Sequence, residues 1–206
     1  MDFEDWEPFY IEILEWFSFD RKKDEEAAKV LAGLLPHDDI RILDDMCRGK
    51  TVTVCGNAPC LKYELEQIEG TVLAADAASL ALLKSGIRPD AVFTDLDGAT
   101  DAYPTMNREG TVMIIHAHGD NIPLLRYWAP QFSGPVVGTT QARPFPPLYN
   151  FGGFTDGDRA VFAADHMGAD KIILAGFDLD DQDVDIFKGG KLQWARRLLT
   201  LIGHAC

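Results

Sequence analysis

Two aspartates one residue apart, Asp95 and Asp97, close the apolar run of AVFTDLDG (91–98). If extended backbone continues through them, both carboxylates point to one face. Two carboxylates so placed suit Mg²⁺, which takes oxygen ligands and keeps waters and substrate phosphates in its shell. Gly98 lets the chain turn or lets a phosphate approach the backbone. An acidic turn that caps the next helix is the plainer alternative. Asp76, which ends the neighbouring apolar run TVLAA, favours metal and phosphate binding and joins Asp95 and Asp97 as a candidate ligand.

Other polar clusters end other apolar runs. GNAPC (56–60) contains no P-loop or G-x-G-x-x-G pattern, but Gly56 and Asn57 could turn backbone amides toward an anion. HAHGDN (116–121) crowds His116, His118, Gly119, Asp120 and Asn121 together. Zinc is disfavoured because no third soft ligand lies nearby in sequence. One histidine is expected to face a phosphate or substrate, with Asp120 or Asn121 capping the helix that follows. Thr139, Thr140 and Gln141 end another run. In FTDGDRA (154–160), Thr155 or Asp156 is the expected helix cap, and Arg159 is a candidate phosphate contact because its planar fork fits such oxygens. Asp178 ends the last run and is a candidate binding residue, whereas the aspartates after it read as solvated loop. Lys188 and Lys191 stand near a helix start, where cations are unfavourable unless an anion compensates.

The elements that must position these groups follow from periodicity. Apolar runs at 51–55, 71–75, 91–94, 112–116, 135–138 and 171–176 alternate with helix-like segments. Near-continuous apolar strands alternating with helices predict an α/β fold, a mostly parallel sheet of about six strands covered on both faces. In such sheets ligands bind at the carboxyl ends of the strands, where the polar clusters collect. Residues 1–49 show helical spacing and are expected to form an N-terminal helical cap on a domain spanning 50–206. The aromatic residues of these first helices stand at core spacing and are assigned to packing. Segment 139–154 is rich in Pro, Gly and aromatics. Its Phe145, Tyr149, Phe151 and Phe154 offer a flat apolar surface, or serve a core or lid role.

The chain has 206 residues, enough for one domain, and a formal net charge of -14. That balance argues against nucleic-acid binding, which needs a basic footprint. It would repel a phosphate ligand unless a divalent cation intervened. The first residues lack the basic and apolar regions of a signal peptide, and no apolar run approaches membrane-spanning length, so a cytoplasmic protein away from membranes is expected. Cys47, Cys55, Cys60 and Cys206 form no C-x-x-C and are expected to be reduced thiols.

The ordered set GNAPCL, AADAASLALLKSGIRPDAVFTDLDG, HAHGDN, GTTQ, FGGFTDGDRA, LAGFDL and KLQWA resembles the archaeal 6-hydroxymethyl-7,8-dihydropterin pyrophosphokinases, the MptE-like family, over residues 50–200. The central piece is also similar to thiamine pyrophosphokinase. Ala58, Cys60 and Ala77 stand where these patterns have Gly, Ser and Gly. The resemblance implies a Rossmann-like fold and Mg²⁺-dependent transfer of diphosphate from ATP to the hydroxymethyl group of a reduced pterin, with release of AMP, in archaeal tetrahydromethanopterin or folate-type synthesis. It places Asp76, Asp95 and Asp97 at the metal and diphosphate centre. Gly56, Asn57, His118, Gly119, Asp120 and Asn121 line the nucleotide or phosphate pocket. For such a transfer Asp76 or Asp120 is expected to take the hydroxyl proton, and His118 with Arg159 or Lys191 to stabilise charge on the transferred group. The alternatives are thiamine as acceptor, or a non-catalytic nucleotide- or sugar-nucleotide-binding module. Such modules sit in longer chains, whereas this one reads as short and complete. Whether copies form a homo-oligomer is left open.

Overall fold

The computed structural model describes residues 1–204; Cys206 lies outside them. Cys47, Cys55 and Cys60 are free thiols. Three helices come first: α1 (Phe3–Phe17), α2 (Arg21–Leu34) and α3 (Ile40–Cys47). Then strands and helices alternate: β1 (Thr51–Cys55), α4 (Leu61–Glu64), β2 (Thr71–Ala75), α5 (Ala78–Lys84), β3 (Ala91–Thr94), α6 (Ala102–Arg108), β4 (Val112–Ala117), α7 (Ile122–Trp128) and β5 (Val136–Thr140). The chain ends with β6 (Leu148–Tyr149), α8 (Asp156–His166), β7 (Lys171–Ala175) and α9 (Ile186–Leu201).

The strands form one sheet in the order β6-β5-β4-β3-β2-β1-β7, every pair parallel. The described residues therefore hold seven strands rather than six. The extra one, β6, lies within the Pro-rich segment 139–154 and pairs with β5 only through Gly138–Leu148 and Thr139–Tyr149.

Successive strand side chains alternate between two apolar layers, as the pleat requires. Val52, Val54, Leu73, Phe93, Ile114 and Val137 face the layer holding α1, α3, α8 and α9. Val72, Ala74, Val92, Met113 and Ile115 face the layer holding α2 and α4 to α7. The N-terminal helices thus divide between the faces. On α2, Ala27, Ala28 and Leu31 are buried at helical spacing. No helix among the described residues is long and apolar enough to cross a membrane.

Strand order reverses between β1 and β7, because the chain runs outward from β1 to β6 before β7 returns to the other side of β1. The loops after these two strands are laced together. Gly56 N donates to Ala175 O at 2.8 Å and Ala58 N to Gly176 O at 2.9 Å. A side chain at Gly56 would bring its Cβ to 2.5 Å from Gly176 O, so the approach requires glycine. The amides of Gly56 and Ala58 are therefore committed to the neighbouring strand end.

Candidate functional site

β3 ends at Thr94, and Leu96 takes a left-handed φ of 73° with its side chain buried. Extended backbone therefore does not continue through Asp95 and Asp97. A turn joins them instead, with Asp97 N donating to Asp95 Oδ1 at 3.1 Å. The left-handed conformation is unfavourable for leucine, and its apolar burial offsets the cost. Carboxylate oxygens of Asp76, Asp95 and Asp156 lie within 4.8 Å of one another. The third member of the cluster is thus Asp156, at the start of α8, rather than Asp97. Of the two expected helix caps, Asp156 is not the one used. Thr155 is the N-cap, and Asp158 closes the capping box.

Each member of the cluster is held from its own element. Asp76, also at positive φ, accepts at Oδ1 from Thr94 Oγ1 (2.6 Å) and Tyr103 OH (3.1 Å). Gly98 packs directly on the Asp76 carboxylate, where any Cβ would collide with Oδ2. Asp95 Oδ2 meets His118 Nε2 at 3.3 Å. Asp156 Oδ1 pairs with Arg159 Nη1 at 3.1 Å, and Arg159 Nη2 reaches Gln141 Oε1 at 3.4 Å.

The electrostatics follow from this crowding. Burial and then the charge of Asp95 push Asp156 well above the usual carboxylate range, against the pull of Arg159. Burial also raises Asp76, opposed by the Thr94 hydrogen bond. Burial would raise Asp95 too, but the hydrogen bond and charge of His118 outweigh it and hold Asp95 low. Asp97 stands exposed at the rim. Lost hydration there, then the charges of Asp95 and Asp76, raise it to about 6. Three closely set carboxylates with oxygen-only donors fit a hard divalent cation.

Because the folded chain holds the Asp97 proton more tightly than the unfolded chain does, this group favours folding below its ordinary value of 3.8. That contribution is lost as pH rises through about 6. Metal-free Asp97→Asn should therefore gain stability over the wild type across that window. Thermal melts of both proteins at several pH values check this; a constant difference between them would refute it.

The turn after β4 is fixed by buried polar groups. Asn121 accepts from His118 N (3.1 Å) and donates to His116 O (2.7 Å) and Asp95 O (2.8 Å), joining the ends of β3 and β4. Asn121 occupies the N-cap position of α7, yet its side chain caps no helix amide. His118 faces the cavity. His116 is buried against Thr139 Oγ1 at 3.0 Å, and burial and then Arg159 keep it neutral.

Asp24 on α2 was missed by sequence reasoning and is the main anchor. Its Oδ1 accepts from Gly119 N at 2.8 Å, and its Oδ2 accepts from Tyr10 OH at 2.7 Å and Gln141 Nε2 at 2.8 Å. The signal was present: Asp24 shares the spacing of the buried Ala27, Ala28 and Leu31. A Cβ at Gly119 would stand 2.5 Å from Lys23 Cβ, so Gly119→Ala should push α2 from the turn and lower the unfolding midpoint in urea. An unchanged midpoint would contradict this contact.

Two cavities flank the carboxylates. The larger, about 520 Å³, is lined by Asp95, Asp97, Asp156, His118, Arg159 and Lys191, with Gly119, Asp120, Asn121 and Gln141 on its wall. The second, about 410 Å³, is the crevice between the ends of β1 and β7, lined by Gly56, Asn57, Asp76, Asp97, Asp156 and Asp178. Thr139 and Thr140 are buried in β5 and line neither. Of the four aromatics of segment 139–154, only Phe154 reaches the large cavity. Tyr149 bonds Asp38 instead, and Phe151 is buried in the core. Phe19, which follows α1, also lines the large cavity, beyond the packing role assigned to the aromatics of that region.

The fold and site define a Rossmann-like α/β protein with its ionisable groups gathered at the carboxyl ends of parallel strands. The chain belongs to the MptE-like family, described as "6-hydroxymethylpterin diphosphokinase MptE-like", whose family model matches residues 28–184. It is 40% identical to a 6-hydroxymethyl-7,8-dihydropterin pyrophosphokinase of Methanothermobacter thermautotrophicus, covering 97% of this chain and 94% of that protein. It is 39% identical to a protein of the same name from Methanocaldococcus jannaschii, covering 98% and 96%. A third, from Pyrococcus furiosus, is 42% identical over 86% of this chain and 78% of its own length. Among solved structures, the MAf glycosyltransferase of Magnetospirillum magneticum AMB-1 matches with a TM-score of 0.48 at 19% identity, over 82% of this chain and 29% of that one.

Proposed function

We propose that this protein is a cytoplasmic enzyme that transfers diphosphate from ATP to the hydroxymethyl group of 6-hydroxymethyl-7,8-dihydropterin and releases AMP. The observation that carries the proposal is the meeting of Asp76, Asp95 and Asp156 between the two cavities, in a chain of this family. The hydroxymethyl oxygen forms a bond to the β-phosphorus. The bond from that phosphorus to the bridging oxygen breaks, and its electron pair leaves with AMP. The hydroxyl proton passes to a carboxylate at the cavity wall. Asp97 is placed for this because it lines both cavities.

Asp76, Asp95 and Asp156 would hold Mg²⁺, which when bound supplies charge neutralisation to the phosphates. Arg159, Lys191 and His118 face the same space and bind phosphate oxygens. Such transfers need positioning and charge stabilisation more than covalent chemistry from the protein.

The test is AMP formation from ATP and Mg²⁺ with the pterin or thiamine offered separately. AMP with the pterin alone is the expected outcome. AMP with thiamine alone would reassign the acceptor. No AMP with either, while nucleotide still binds, would make the chain a binding module.

A further inference from the structure

Two substrates must meet at one phosphorus atom, and the cavities differ in what they can hold. They share only Asp97, Thr155 and Asp156, so these residues form the partition between them. In-line displacement sets the attacking and leaving oxygens on opposite sides of the β-phosphorus. A partition with a cavity on each side provides that arrangement. The division of substrates inferred next rests on the diphosphate-transfer reading above.

The large cavity has a wall of phenyl rings. Phe19, Phe154 and Phe187 line it, and Phe17 backs them, its ring 5.4 Å from Phe19, 5.1 Å from Phe154 and 5.2 Å from Phe187. A flat fused bicycle stacked on Phe19 meets Phe187 edge-on, because those two rings stand at 72° to each other. Lys23, Arg159 and Lys191 line the same cavity, whereas Lys188 is the one Lys or Arg of the crevice. The diphosphate that moves carries more charge than the AMP that stays, so the cations lie on the side of the transferred group. The crevice offers a different surface. Ala58, Pro59, Phe177, Leu179 and Leu192 make an apolar slot at the point where strand order reverses. In open α/β sheets, that position takes nucleotides.

The geometry points to a divided site: adenosine monophosphate occupies the β1/β7 crevice, the pterin packs among Phe19, Phe154 and Phe187 in the large cavity, and diphosphate crosses at Asp97, Thr155 and Asp156. The diphosphorylated product then lies wholly in the large cavity, and AMP leaves through the crevice.

The experiment is equilibrium binding of AMP and of 6-hydroxymethyl-7,8-dihydropterin, each alone with Mg²⁺, by calorimetry. It uses the wild type, Phe187→Ala and Leu192→Trp. Phe187 is exposed and Leu192 is partly exposed, so both variants should fold, which circular dichroism verifies. Phe187→Ala should weaken the pterin by about tenfold, as loss of one aromatic contact does, and leave AMP within about twofold. Leu192→Trp fills the crevice and should weaken AMP by about tenfold or more, leaving the pterin unchanged. The crossed pattern, or both ligands weakened by both variants, overturns the division. So does a wild type that binds neither ligand. A wild type that binds both with this split yet forms no AMP would instead sink the catalytic reading and leave the division standing.

Discussion

Replacing Asp95 by Asn is expected to reduce AMP formation by about 10²–10³-fold, the effect of losing several kcal/mol of transition-state charge stabilisation. The substitution keeps the shape and removes one charge from the trio Asp76, Asp95 and Asp156. Asp95 is the member to choose because His118 holds it ionised, whereas burial favours protonated Asp76 and Asp156. The link that joins the ends of β3 and β4 survives the change, since the backbone oxygen of Asp95, not its carboxylate, accepts from Asn121. Rates at saturating Mg²⁺ and substrates, with circular dichroism to confirm folding, make the comparison. Asp120→Asn, at an exposed position on the same cavity, should lose far less. Equal rates for Asp95→Asn and the wild type would remove Asp95 from the centre.

The largest expected effect on stability is that of Asp24→Ala, about 3 kcal/mol or more. The change strips the acceptor from Gly119 N, Tyr10 OH and Gln141 Nε2 at once. A buried donor left unpartnered costs about 1–3 kcal/mol, and water from the adjoining cavity recovers part of that sum. Asp24→Asn keeps one acceptor oxygen and should lose less. Urea unfolding of the three proteins gives the ranking. A loss below about 1 kcal/mol for Asp24→Ala would mean that the donors find other partners and that α2 is pinned some other way. Because the carboxylate ties α1, the turn after β4 and the end of β5 together, the first helices belong to the architecture of the site.

The sheet was legible because its strands are buried on both faces and read as unbroken apolar runs, bounded by polar clusters at one edge. β6 was not, because two residues in a Pro-rich stretch carry no period and pair only through the register of β5. The spacing of Asp95 and Asp97 marked the correct turn but predicted the wrong geometry, since one left-handed residue, Leu96, cancels the pleat argument. Asp156 could be seen locally as a helix-start residue. Its place beside Asp76 and Asp95 depends on α8 docking against β2 and β3, which no local pattern encodes. Gly56 stood out as a turn glycine presenting its amide to an anion, but that amide bonds Ala175 O and its close approach is to Gly176, a pairing across more than 100 residues that no local pattern encodes. Asp24 stood in view as a charge on an apolar stripe, and burial gave it significance only once three donors surrounded it.

The reversal of strand order between β1 and β7 also bears on how the molecule is made. Thr51 pairs with Lys171 and Cys55 with Ala175, so the first strand synthesised waits for the last before its second edge is satisfied. During translation β1 can pair with β2 while its other edge stays open, with Val52 and Val54 beside it, a template for unwanted strand addition. Pairing at such long range is slow to form. The crevice does not exist until β7 and the start of α9 have docked, so a nucleotide held there would stabilise only a chain already synthesised through Ala195.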